Sequence, residues 1–80
     1  MTLGDYLKQY RLAHGYTIFE LSLELDVFNS TIYKWESNIA NPQGKNIDKI
    51  IEFMGYDPRI HNPFEINNYV NVLLADMDQW

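Results

Sequence analysis

The chain has 80 residues, 46% of them apolar and none of them cysteine, so it can build one small core but neither a disulfide nor a thiolate metal site. Its net charge is −5, from six Lys and Arg against eleven Asp and Glu, and the charge is unevenly spread. Residues 1–59 hold every Lys and Arg, and residues 60–80 hold three acids and neither, which makes the C-terminal part a poor phosphate-binding surface.

The opening MTLGDYLKQYRL has no basic stretch followed by an unbroken apolar run, so no signal peptide is expected. No segment reaches the roughly 20 apolar residues of a membrane span, and a cytoplasmic protein is expected. Leu3, Leu7 and Tyr10, with Tyr6 beside them, recur at helical spacing. With Thr2 as cap and Gly15 as stop they predict a first helix over about 2–14. Thr17 followed by Glu20 has capping-box spacing, and Leu21 and Leu25 supply an inward face, predicting a second helix over 18–25. Asp26 and Val27 form a corner. A third helix is expected over 29–37, with Ile32 and Trp35 inward and Asn38 left-handed beyond its end.

Pro42 and Gly44 mark the loop NIANPQGK. Ile47, Ile50, Ile51 and Met54 then trace a fourth amphipathic helix that Gly55 ends. After the turn segment GYDPRIHNP, the stripe Ile66, Tyr69, Val70, Leu73, Leu74 and Met77 predicts a fifth. Five short helices and no strand pattern give an all-α fold, divided into a domain over 1–58 and a C-terminal amphipathic helix within 59–80 as a dimerisation element. Only Asp26, Val27 and Phe28 separate the second and third helices. So short a joint forces the sharp crossing of a helix-turn-helix, in which the second helix of the motif enters the major groove of DNA.

On a wheel of about 100° per residue, Asn29, Ser30, Tyr33 and Lys34 fall opposite Ile32 and Trp35. Asn can bond adenine bidentately, Ser can donate or accept, and Lys can reach guanine or phosphate. A solvated polar face has the same composition. The Thr31 hydroxyl can meet a phosphate or bond back to its own helix.

The stretch LGDYLKQYRLAHGYTIFELSLELDVFNSTIYKWESNIANP resembles the Cro/C1-type (XRE) helix-turn-helix family, whose fold is lambda-repressor-like. The resemblance rests on Arg11, Gly15, Thr17, Glu20-Leu21, Val27, Ser30-Thr31-Ile32, Trp35-Glu36 and Pro42 in that order. KIIEFMGYDP extends it to Pro58. It implies a DNA-binding regulator, with contacts to double-stranded DNA from Thr17, Asn29, Ser30, Thr31, Tyr33 and Lys34. It also implies a structural salt bridge between Arg11 and Glu36.

Three positions depart from the family pattern. Ile18 replaces a Gln that touches phosphate, Phe28 replaces a capping hydroxyl, and Asn38 replaces Gly. Phe19 and Leu23 form an apolar pair on the outer side of the second helix. With Tyr69, Leu73 and Met77 of the tail, they are the expected protein-contact residues. Two functions follow: a repressor binding a palindromic operator as a homodimer, or a protein-binding module on the same fold, an antitoxin or an antagonist of another regulator, with weak or no DNA binding. No enzyme, cofactor or metal site is expected. His14 and His61 stand alone, and no glycine-rich loop could cradle phosphate.

Overall fold

The structure is a computed structural model that describes residues 1–60. Four helices run in order through it: α1 (Leu3–Ala13), α2 (Ile18–Leu25), α3 (Asn29–Glu36) and α4 (Lys45–Met54). The described residues contain no strand. The fifth helix expected at 66–77, with Tyr69, Leu73 and Met77, lies outside them.

Local chemistry sets each boundary. At α1, Thr2 Oγ1 accepts from the Asp5 amide at 3.1 Å and the Asp5 carboxylate accepts from the Thr2 amide at 2.9 Å. Both orphan donors are satisfied, so Thr2 is the cap and the helix starts one residue later than the spacing predicted. His14 and Ser37 are likewise C-caps outside α1 and α3, which shortens each expected helix at its end. The capping box of α2 pairs Thr17 with Glu20 at 3.0 and 3.1 Å. Asp26 ends α2 in the left-handed region, at φ 53° and ψ 52°, and so turns the chain toward α3 within three residues. Asn38 holds the same region after α3, at φ 60°. Asp and Asn are among the few side chains that tolerate it.

The core is Leu3, Leu7, Leu21, Leu25, Ile32, Trp35, Ile50 and Met54, all buried. These are the inward positions of the four helical stripes, so burial follows the periodicity read from the chain. Helix α3 packs against both α1 and α2, and α4 packs against α2. Aromatic edges seal the far end, where Tyr10 and Tyr16 each meet Phe53 with ring centroids 5.4 Å apart. His14 lies 4.0 Å from the Tyr10 ring. Ile18 is half-buried against the core. An apolar side chain therefore suits that position for packing, where a Gln would have reached outward.

Candidate nucleic-acid interface

Helix α3 has two faces. Ile32, Trp35 and Glu36 are buried, while Asn29, Ser30, Tyr33 and Lys34 are exposed together on the other side. Thr31 is half-buried between them. Its amide donates to the Phe28 carbonyl at 3.0 Å, and its hydroxyl takes no bond within its own helix. Thr17 is exposed at the start of α2 and its oxygen already accepts from Glu20, which leaves its hydroxyl proton available. No acid lies in the first turn of α3, and Lys34 lies in its last turn, where a cation also suits the helix dipole.

A helix of two turns cannot hold an orientation by itself; its neighbours must. Arg11 supplies one anchor. Its Nε donates to Glu36 Oε2 at 2.7 Å and its Nη2 to Glu36 Oε1 at 2.9 Å, a bidentate fork between α1 and α3. The third nitrogen, Nη1, donates to the Tyr16 carbonyl at 3.0 Å and so ties in the α1–α2 loop as well. Both side chains are nearly buried, at 12% and 5% exposure. The hydrogen bonds to Glu36 push the Arg11 pKa upward against the opposing effect of burial, so the guanidinium stays charged. The net worth of such a pair is small, but removing one partner strands a buried charge at about 3–5 kcal/mol.

Two further anchors are not visible in the local pattern. Asn38 Nδ2 donates to Asp5 Oδ1 at 2.9 Å, and Thr2 Oγ1 donates to Asn38 Oδ1 at 2.6 Å. The residue just beyond α3 is thus bonded to the capping box of α1. Thr2 first, and Asn38 next, hold the Asp5 carboxyl below its ordinary value of 3.8. The other anchor is Gly4. A Cβ there would run into the Trp35 carbonyl group, so α1 and α3 touch backbone to backbone. The signal for Gly4 was a glycine inside a helical pattern, where it costs about 1 kcal/mol relative to Ala. Asn38 carried a backbone signal only.

Phe19 and Leu23 are 59% and 66% exposed on α2, and Phe28 is 82% exposed at the joint. Phe28 occupies the N-cap of α3 and makes no side-chain cap bond. Among the described residues there is no cluster of three or more metal-ligating side chains, and no helix long and apolar enough to cross a membrane.

A short buried-core bundle with a sharp α2–α3 joint and a polar outer α3 face defines a helix-turn-helix domain. A family model described as Helix-turn-helix matches residues 7–60, most of the chain. The chain belongs to the Cro/C1-type (XRE) helix-turn-helix family of DNA-binding transcription regulators. That family is regulatory and not typically enzymatic. No curated protein and no solved structure matches the chain.

Proposed function

We propose that the protein is a cytoplasmic repressor that binds a palindromic operator as a homodimer, with α3 in the major groove. The observation that carries this reading is the exposed face of Asn29, Ser30, Tyr33 and Lys34 on a helix anchored from behind by Arg11–Glu36. Asn29 addresses a base edge and Lys34 a guanine or a phosphate, while Thr17 and Thr31 offer hydroxyls to the backbone on either side. A two-turn helix spans few base pairs, so two copies on a two-fold site double the contacts. Repression then follows from occupancy of the operator. The tail stripe of Tyr69, Leu73 and Met77 carries no basic residue among its neighbours and is assigned to the dimer contact.

The test is selection of bound genomic fragments, followed by titration at low and moderate salt. Counter-ion release makes any phosphate-driven complex weaken steeply as salt rises. Asn29→Ala is expected to lose about 1–3 kcal/mol on the selected site and to relax its sequence preference. Lys34→Ala is expected to weaken binding as well. Unchanged affinity in both variants would remove the face from the interface.

The exposure of Phe19 and Leu23 favours a second reading, a protein-binding module that acts as an antitoxin or antagonist. Absence of binding to every genomic fragment, even at low salt, would select it.

A further inference from the structure

Phe28 breaks two local rules at once. It fills the N-cap of α3, where Ser, Thr, Asp or Asn would bond back to the first turn, and it makes no such bond. Its ring is also the most exposed of the large apolar side chains among the described residues. Departures from local rules concentrate at functional sites.

The geometry around the ring says what it could meet. Phe28 has extended backbone, φ −70° and ψ 150°, and its side chain stays in solvent while Ile32 and Trp35 are buried. It borders an open groove of about 450 Å³ lined by Ser22, Val27, Phe28, Asn29 and Ser30. One part of that lining is apolar, Val27 and Phe28; the rest is amide and hydroxyl. The major-groove edge of an A·T pair has the same two characters: adenine N6 and N7 suit an Asn amide, and the thymine C5-methyl suits an apolar contact. A G·C pair offers no methyl. The first turn of α3 contains no acid that would repel the phosphates flanking such a pair.

We propose that Phe28 reads the 5-methyl group of a thymine in or beside the base pair addressed by Asn29, a step that rests on α3 being the DNA-contacting helix. The start of α3 is then a reader of A·T pairs with two chemically separate parts, one polar and one apolar.

The experiment uses the full chain and a duplex recovered by selection. Each thymine is replaced in turn by deoxyuridine, which removes the methyl and keeps the base pairing. At one thymine, or one symmetry-related pair, the wild-type complex is expected to weaken about fourfold per site, the worth of one buried methyl group. Phe28→Leu should keep that sensitivity and Phe28→Ser should lose it. Phe28→Ser also restores a capping hydroxyl, so its melting temperature should rise while its methyl discrimination disappears. A purely structural role would not move the two in opposite directions. If Asn29→Ala weakens binding but no thymine matters to the wild type, or Phe28→Ser stays as sensitive as the wild type, the Phe28 assignment falls and the face survives. If Asn29→Ala alone binds as the wild type does, the Phe28 assignment falls with the Asn29 contact; if no fragment binds, or Asn29→Ala and Lys34→Ala both bind as the wild type does, the face falls too.

Discussion

Gly4 shows how much one missing side chain can decide. In an isolated helix, Ala is better than Gly by about 1 kcal/mol. In this fold a Cβ at position 4 would meet backbone atoms of Trp35, and backbone cannot swing aside as a flexible side chain can. The clash exceeds the propensity gain, because overpacking a tight contact costs about 1–3 kcal/mol and sometimes more. Gly4→Ala is therefore expected to lower the melting temperature by about 10 °C in a domain of this size. Thermal unfolding followed by circular dichroism checks it; a variant as stable as the wild type would mean that α1 and α3 part without penalty. The same contact sets the depth at which Trp35, and with it the outer face of α3, sits on α1.

At the scale of the element, α3 is held at its C-terminal end by two different kinds of bond. The Arg11–Glu36 fork is nearly dry, while the Asp5–Asn38–Thr2 cluster is exposed. An exposed cluster contributes modestly, because water competes for each of its hydrogen bonds. Asn38→Gly keeps the backbone free to adopt φ 60° and loses only the side-chain bonds, so it should be mildly destabilised. Asn38→Ala loses both and should melt lower. Asn38→Asp sets two carboxylates against each other, and adding Asp5→Asn should recover most of the loss by exchanging donor and acceptor.

The pH dependence has a definite sign. The folded Asp5 pKa lies below 3.8, so its contribution is complete above that value and is lost as pH falls through the folded pKa. The stability gap between wild type and Asn38→Gly should accordingly narrow below about pH 3.8. A gap unchanged down to pH 2.5 would mean that the Asp5–Asn38 bond does not form in solution.

For the whole molecule, the proposed dimer needs a contact that can join two copies. The tail over residues 60–80 contains three acids and no Lys or Arg, so like charge opposes pairing and an apolar contact must exceed that repulsion. The stripe Ile66, Tyr69, Val70, Leu73, Leu74 and Met77 is long enough to supply one. The full chain is expected to be a dimer at high micromolar concentration and residues 1–59 a monomer, as read by sedimentation or light scattering. A monomeric full chain would overturn the dimer. A dimer that survives truncation would move the interface to α4 around Phe53. Folding of the tail onto its own domain over Phe19 and Leu23 would instead leave the full chain monomeric and bury those two side chains.

The four helices, their caps and the inward residues were legible in the one-dimensional pattern, because capping and periodicity act over three to eight residues of contiguous chain. Thr2, Thr17, Asn38 and Gly55 stop or start helices through their own backbone and side-chain chemistry, wherever the rest of the chain goes. The sharp joint at Asp26 and the outward set on α3 follow from the same local rules. What tertiary structure alone decided are the contacts between residues far apart in the chain. Gly4 against Trp35 and Asn38 against Asp5 and Thr2 depend on how closely and at what angle helices and loops meet. The packed core sets that geometry, and no spacing within one helix carries it. The exposure of Phe28 belongs with them: the loss of its cap could be read from the residue type, but the groove beside it exists only once α2 and α3 are packed.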